Sequence, residues 1–254
     1  MPHSTKTLAP ASSLLARQLA ATAVSYIFNK HDIPHAFIGG LPLNLLGHTR
    51  YGSDIDVLVD ETAFCGEDIR KMKPHLVEIL VKHDDRFTTT NGALMHLHFH
   101  ATIGEDAVEV PVETLPAGQL ALPLRLEDVE KIGVSQIPIL PPELFFITKA
   151  KRAAALIGSS RPKSVARLAH DEQDLDFLLR WMGQHGRIID IHRYCSLLER
   201  QQNTQAQSVL KNRLYKQLRD LYLYWSAKEH QGSGQAEAFK NVIATIDQAY
   251  FQEK

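Results

Sequence analysis

The apolar positions near the start of the chain repeat with the spacing of a helix. Between residues 11 and 30 they recur every four residues, at Leu15, Leu19, Ala23 and Ile27. This spacing is typical of an amphipathic α-helix, which we expect to end shortly before Pro34. The pattern therefore predicts a first helix with one apolar face.

Two short apolar runs follow, and both predict β-strands. They cover residues 36–38 and 54–59 and are bounded by glycine or polar residues. Between them, residues 41–46 predict a short helix that starts after Gly39-Gly40, while Gly47 is suited to end it. This arrangement places a glycine turn directly at the end of the first strand.

The next segment predicts a helix and then a group of strands. Residues 66–83 have a helical pattern, but Pro74 predicts a break or two helices there. Alternating or β-branched residues predict further strands at 87–90, 94–101 and 107–115. Gly104-Glu105-Asp106 predicts a hairpin turn between the last two.

After Pro141-Pro142 the pattern becomes entirely helical. The predicted helices cover residues 143–157, 171–184, 187–201, 205–228 and 236–252. A polar run at 158–164 predicts a flexible linker after the first of them. We therefore predict an α+β protein with a core domain at residues 1–140 and an all-helical domain at residues 141–254.

Composition indicates an ordinary globular protein. Of 254 residues, 44% are hydrophobic and 22% are charged, and 28 Lys and Arg residues against 29 Asp and Glu give a net charge of −1. This balance gives no broad basic surface for nucleic acid or an anionic membrane. No apolar run approaches about 18 residues and no leader peptide is apparent. We expect a cytoplasmic protein whose two cysteines are reduced.

Two carboxylates and a glycine pair supply the chemistry that the sequence suggests. Side chains alternate along a strand, so Asp54 and Asp56 point the same way with backbones about 6.6 Å apart. Gly39 and Gly40 let the backbone approach a ligand and turn N–H groups towards phosphate oxygens. The combination predicts a site for divalent cations and a triphosphate, and hence phosphoryl or nucleotidyl transfer. No P-loop motif is present.

These motifs resemble a known superfamily. Ile38-Gly39-Gly40, Arg50 and Ser53-Asp54-Ile55-Asp56 together resemble the hallmark of the nucleotidyltransferases, whose fold is shared with DNA polymerase β. Lys149 and residues 170–179 resemble the second part of AbiEii-type and fungal nucleotidyltransferase-like proteins. The resemblance covers about residues 20–182. It implies a mixed β-sheet flanked by helices, with the helical domain closing over a nucleotide.

The resemblance also implies a third carboxylate on a later strand, for which the chain offers two candidates. Glu113 is favoured because a Pro- and Gly-containing turn follows it, as in the family. Glu109 fits better inside a regular β pattern. Pro111 lies between them and is expected to bulge or end the strand.

Further binding roles follow from the same resemblance. The residues implied to contact the triphosphate or the acceptor are Gly39, Gly40, Arg50, Ser53, Lys149, Asp171 and Asp174. The alternative for Lys149 is a surface lysine with a buried stem. The alternative for the two aspartates is a helix-capping role.

Three histidines share one face of a predicted strand. His96, His98 and His100 alternate with apolar residues, which would also suit metal ligation. The segment supplies no convincing fourth ligand, so a polar strand face is favoured.

The implied activity is transfer of a nucleoside monophosphate. Asp54, Asp56 and the third carboxylate would hold two Mg²⁺ ions, and an acceptor hydroxyl would attack the α-phosphorus of a nucleoside triphosphate. The near-neutral charge favours a small-molecule acceptor. The alternatives are an RNA- or protein-modifying toxin-like enzyme, which is expected to carry a basic track, and a non-catalytic nucleotide-binding relative, against which the intact Asp54 and Asp56 argue.

Overall fold

A computed structural model describes most of the chain. The described residues are 10–50, 52–60, 69–90, 96–117, 126, 128–197, 204–229 and 234–243. They form two units. The first contains the described residues up to Ala117 together with Leu126–Leu140, and the second contains those from Pro141 onward.

The first unit is built on a mixed β-sheet. Its elements are α1 (Pro10–Lys30), β1 (His35–Ile38), α2 (Gly40–Leu45), β2 (Ile55–Val59), α3 (Ile69–His83), β3 (Phe87–Thr90), β4 (His96–Ile103), β5 (Asp106–Pro116), β6 (Glu130–Ile132) and β7 (Ile137–Ile139). Across the described residues the strand order is β3-β4-β5-β2-β1-β7-β6. β2 is parallel to β5 and β1 to β7, and the other neighbours are antiparallel. This mixed sheet with flanking helices confirms the predicted fold class.

The hydrophobic core lies against one face of this sheet. Alternate strand residues such as Phe37, Val57 and Val110 are buried in one cluster with apolar residues of α1 and α3. Because strand side chains alternate between faces, the intervening residues, including Asp56, belong to the opposite face.

The first helix is confirmed, but its buried face is only partly the predicted one. Leu15 and Leu19 are 45% and 37% exposed, whereas Ala16, Ala20 and Val24 are fully buried. A helix has 3.6 residues per turn, so a strict four-residue repeat drifts by about 40° at each step. The four predicted apolar residues therefore do not share one face, and of these only Ala23 and Ile27 are buried in the core.

The predicted break at Pro74 is wrong, because α3 continues through it. Pro74 is exposed, while Met72, Leu76 and Leu80 on the same helix are almost completely buried. A proline inside a helix costs about 3 kcal/mol, and each buried side chain of this size contributes about 1.5–3 kcal/mol. Packing of the apolar face therefore outweighs the proline. Residues 66–68 of the predicted helix lie outside the described residues.

The expected interruption at Pro111 is also wrong. β5 runs from Asp106 to Pro116, with Pro111 paired beside His98 of β4. Pairing with β2 begins at Val112, so Pro111 precedes that ladder and removes no donor from it. The predicted hairpin between β4 and β5 is confirmed, while residues 94–95 lie outside the described residues.

Sequence analysis missed the strands β6 and β7. Each has three residues, which is too short for an alternating pattern to stand out. They pair as an antiparallel hairpin, and β7 extends the sheet beside β1.

The second unit is helical in its described residues. Its elements are α4 (Pro142–Leu156), α5 (Pro162–Gln184), α6 (Ile191–Leu197), α7 (Thr204–Glu229) and α8 (Gln235–Val242). The predicted linker at 158–164 is too long, because α5 already begins at Pro162, and proline suits the first turn of a helix. Residues 198–201 and 244–252 of the predicted helices lie outside the described residues.

None of the helices in the described part of the chain combines the length and the apolar character needed to cross a membrane.

Candidate active site

Two acidic residues meet on adjacent central strands. Asp56 of β2 pairs with Ile38 at the end of β1 on one side and with Glu113 of β5 on the other. Residues paired across a sheet project from the same face. The register therefore brings the half-buried Asp56 and the exposed Glu113 side by side.

The glycine turn lies directly against Asp56. Gly39 follows β1 and has φ of 78° and ψ of −139°, a backbone conformation that favours glycine. A Cβ atom at Gly39 would lie 2.1 Å from Oδ2 of Asp56, so any side chain there would displace the carboxylate. At Gly40 the nearest atoms would be 4.0 Å away, an ordinary contact distance. Gly39 is thus the residue that makes room for Asp56.

Asp54 and its predicted neighbours precede β2. Ser53 and Asp54 are exposed, and Arg50 is half-buried. Asp54 lies one residue before the strand rather than within it, because β2 begins at Ile55.

A buried polar network anchors the segment between α2 and β2. Asn44 of α2 donates from Nδ2 to the backbone carbonyls of His48 at 2.7 Å and Arg50 at 2.6 Å. Its Oδ1 accepts a 2.9 Å hydrogen bond from Nη2 of Arg17 in α1. The segment that leads to Asp54 is therefore tied to both helices.

Arg17 is a residue that sequence analysis missed as part of the site. One sign of it was present, because Arg17 is spaced three, four and seven residues from Ala20, Ala21 and Val24, all fully buried. A helix places these positions on one face. The signal available in the sequence was therefore a charged residue on the same helix face as these apolar residues.

Glu109 occupies a different place on β5. It is four residues, or about 13 Å of strand, from Glu113. Its Oε1 lies 3.0 Å from Nδ1 of His98 on β4, without hydrogen-bond geometry. Glu113, and not Glu109, is therefore the residue in register with Asp56.

The strand histidines make separate polar contacts. His98 approaches Glu109, and Nε2 of His100 lies 2.7 Å from the hydroxyl of Thr88 on β3. His96 is exposed at the start of β4.

The donor set on the sheet suits Mg²⁺, although a complete metal site is not preformed. Within the described ranges, no three Asp, Glu, His or Cys side chains form a group that could hold a metal ion. Mg²⁺ is commonly bound by one or two carboxylates together with substrate phosphates. The oxygen donors of Asp56 and Glu113, with Asp54 nearby in sequence, fit this pattern.

The candidates in the helical unit are buried side chains that form ion pairs. Nζ of Lys149 in α4 lies 2.7 Å from Oδ2 of Asp174 in α5, and the two side chains are 5% and 0% exposed. Burial lowers the pKa of Lys149, and the negative charge of Asp174 opposes that shift. Asp171 is bound by the guanidinium of Arg152, whose Nε lies 2.7 Å from Oδ2. Lys149 is thus not the surface lysine that was considered as the alternative.

Comparison with known proteins adds information about the fold. The chain matches no protein-family model, and no curated protein has a significantly similar sequence. The crystal structure of an antigenic nucleotidyltransferase-like protein from Paracoccidioides brasiliensis aligns with a TM-score of 0.61 and 15% identity, over 96% of this chain and 99% of that one. The solution structure of the antibiotic-resistance factor ANT(2'')-Ia aligns with a TM-score of 0.39 and 13% identity, over 88% and 98% respectively. The first similarity confirms the nucleotidyltransferase-like fold.

Proposed function

We propose that this protein is a Mg²⁺-dependent nucleotidyltransferase that moves a nucleoside monophosphate from a nucleoside triphosphate to a hydroxyl group of a small molecule. The observation that carries the proposal is the pairing of Asp56 with Glu113 beside Gly39. Two neighbouring carboxylates repel each other unless a cation or solvent screens them. A cation bound at this point would screen both carboxylates, and this supports the proposal.

In this proposal, the residues of the sheet bind and orient the reactants. Asp54, Asp56 and Glu113 would hold Mg²⁺, which when bound would neutralise the triphosphate and promote attack by the hydroxyl. The backbone at Gly39 and Gly40 would approach the phosphates, since no side chain there stands in the way. Arg50 and Ser53 would add hydrogen-bond donors beside them.

The proton of the acceptor would move to Glu113. As the acceptor oxygen bonds to the α-phosphorus, the bond from that phosphorus to the pyrophosphate oxygen breaks. A Glu113 carboxylate oxygen would accept the proton that the hydroxyl loses. The products are a nucleotidylated acceptor and pyrophosphate.

The near-neutral charge supports a small acceptor. Proteins that bind nucleic acid usually carry a marked positive charge, because phosphate contacts dominate that affinity. This chain has a net charge of −1. RNA is therefore a less favoured acceptor than a small molecule.

A label-transfer assay tests the proposal. The protein is incubated with Mg²⁺ and each of the four nucleoside triphosphates, labelled on the α-phosphate, together with a small-molecule extract, RNA or protein. We expect labelled small molecules and released pyrophosphate, and a loss of at least about 100-fold in Asp56→Asn. The exposed turn variant Glu105→Gln, which removes a carboxylate between β4 and β5, is the control.

The acceptor fractions separate the alternatives. Label in RNA or protein alone would contradict the small-molecule proposal and favour the toxin-like alternative. Absence of transfer, together with absence of nucleotide binding, would contradict the enzyme proposal. The variant Glu109→Gln is expected to retain activity if Glu113 is the third carboxylate.

A further inference from the structure

The guanidinium of Arg17 is fully buried, which is costly for a charged group. Its exposed fraction is 0%, and within the described part of the chain Nε and Nη1 have no hydrogen-bond partner. Burial lowers the pKa of Arg17, and the nearby Asp54 carboxylate opposes this shift. Apolar residues often replace buried ion pairs without loss of stability, and a partly satisfied cation is worse still. Stability alone therefore does not explain an arginine at this position.

The position of the guanidinium relates it to the segment before β2. A Cβ atom at Gly52 would lie 3.3 Å from Nη1 of Arg17 and 3.7 Å from Oδ1 of Asp54. The absence of a side chain at Gly52 thus lets this segment pass close to the buried charge. The hydroxyl of Ser13, also in α1, lies 3.5 Å from the carbonyl oxygen of Gly52.

A second connection runs through Asn44. Its Oδ1 holds Nη2 of Arg17 at 2.9 Å, and its Nδ2 holds the carbonyls of His48 and Arg50. One buried side chain therefore joins the guanidinium to the backbone of the segment. Removal of the Asn44 amide would break this connection.

We propose that Arg17 is a positioning residue that holds the segment carrying Asp54, both through Asn44 and through its charge. The proposal rests on the proposed function, because Asp54 is one of the residues assigned there to Mg²⁺. Arg17 itself does not contact the reactants in this account. Its effect is to place Asp54 before metal and nucleotide bind.

The decisive experiment compares hydrogen exchange and nucleotide binding in matched variants. Arg17→Met removes the charge, Arg17→Lys keeps it, and Asn44→Ala removes the connection. Val24→Ala is the control, because it creates a cavity on the same buried face about two helical turns away. Exchange is measured by mass spectrometry on the metal-free proteins, and Mg²⁺-nucleotide affinity by calorimetry.

We expect selective loosening around Asp54 in the Arg17 and Asn44 variants. In Arg17→Met and Asn44→Ala, exchange should rise in the peptide covering residues 43–56 and remain unchanged in the peptide covering 106–116. Affinity for the Mg²⁺-nucleotide complex should fall by about 10- to 100-fold, the usual effect of removing a group that orients a metal ligand. Arg17→Lys should show a smaller rise in hydrogen exchange and a smaller loss of affinity than Arg17→Met, because it keeps the charge.

The result that would overturn the proposal is a response of both variants equal to that of Val24→Ala. If Arg17→Met does not fold, Asn44→Ala decides the question by the same comparison. If the wild-type protein binds no nucleotide, the proposed function fails, but hydrogen exchange still tests whether Arg17 positions the segment. A rise in hydrogen exchange confined to residues 43–56 in the variants would support this positioning role. A uniform rise in hydrogen exchange would contradict it.

Discussion

Gly39 and Gly40 are adjacent in sequence, but only Gly40 has a backbone conformation and surroundings that accept a side chain. Gly39 has φ of 78° and ψ of −139°, a conformation in which an alanine costs about 1–3 kcal/mol, and its Cβ would overlap Asp56. Gly40 lies at the start of α2 with room for a methyl group. The two glycines therefore provide a matched pair of variants.

We predict that Gly39→Ala abolishes Mg²⁺-nucleotide binding and lowers the free energy of unfolding by about 2–5 kcal/mol, the sum of backbone strain and overlap with Asp56. Gly40→Ala should leave the free energy of unfolding within about 0.5 kcal/mol of the wild type. Urea denaturation and calorimetry measure the two effects. Equal behaviour of the two variants would contradict the role assigned to Gly39.

His35 should make stability depend on pH. It is buried, with Nδ1 2.9 Å from the carbonyl oxygen of Ile33 and Nε2 3.0 Å from the hydroxyl of Ser25. Burial lowers the pKa of His35 below its ordinary value of 6.5. The unfolded chain therefore binds the proton more readily, and the stabilisation is complete above pH 6.5 and is lost as pH falls.

This dependence can be measured by urea denaturation at two pH values. Between pH 7.5 and pH 5.5, His35 should account for a loss of up to about 1.4 kcal/mol in the free energy of unfolding, the limit that its ordinary pKa sets over this range. In His35→Gln that share of the pH dependence should disappear. The same dependence in the variant and the wild type would show that His35 is not the group responsible.

Between the helices α4 and α5, the buried pair of Lys149 and Asp174 should stabilise the helical unit. Lys149→Met removes the ammonium partner of a carboxylate that is 0% exposed, and we expect a cost of about 3–5 kcal/mol. In the double variant Lys149→Met/Asp174→Leu the cost should be smaller, because the buried charge is also removed.

An exposed pair on α5 is the control for this prediction. Arg180 forms an i,i+4 ion pair with Asp176, and its side chain is 69% exposed. Arg180→Met should cost less than about 1 kcal/mol. If Lys149→Met cost as little as Arg180→Met in urea denaturation, the buried pair would have no stabilising role. The implied contact of Lys149 with a triphosphate stays a prediction.

The elements were predictable where local pattern and packing agree. The β4–β5 hairpin follows from strand alternation and turn chemistry in the sequence, and the extent of α1 follows from its helical periodicity, although Leu15 and Leu19 of the predicted apolar face are exposed. α3 continues through Pro74 because four buried apolar residues hold it, namely Met72, Leu76, Val77 and Leu80. That tertiary packing is invisible to a local helix-breaking rule. β7 has three residues, and its place beside β1 depends on pairing across the sheet.

Across the whole molecule, the candidate site is only partly readable from sequence. Asp54, Asp56 and the glycine turn lie close together in the chain, so their combination is recognisable locally. The hydrogen bond of Arg17 to Asn44 joins residues 27 positions apart and requires knowledge of which helix face is buried. The pairing of Glu113 with Asp56 likewise depends on the register between β5 and β2, which the local sequence pattern does not reveal. The assignment of catalytic and metal-binding roles stays a prediction.

The most direct test of the central claim is calorimetric titration of each nucleoside triphosphate, with Mg²⁺ and with EDTA, into the wild type and Asp56→Asn/Glu113→Gln. We predict that at least one nucleotide binds only with Mg²⁺ and that the double variant weakens this binding by at least about 100-fold. Glu105→Gln should bind as the wild type does. Equal binding by the double variant, binding independent of Mg²⁺, or absence of binding by the wild type would contradict the claim that these carboxylates form a metal-nucleotide site.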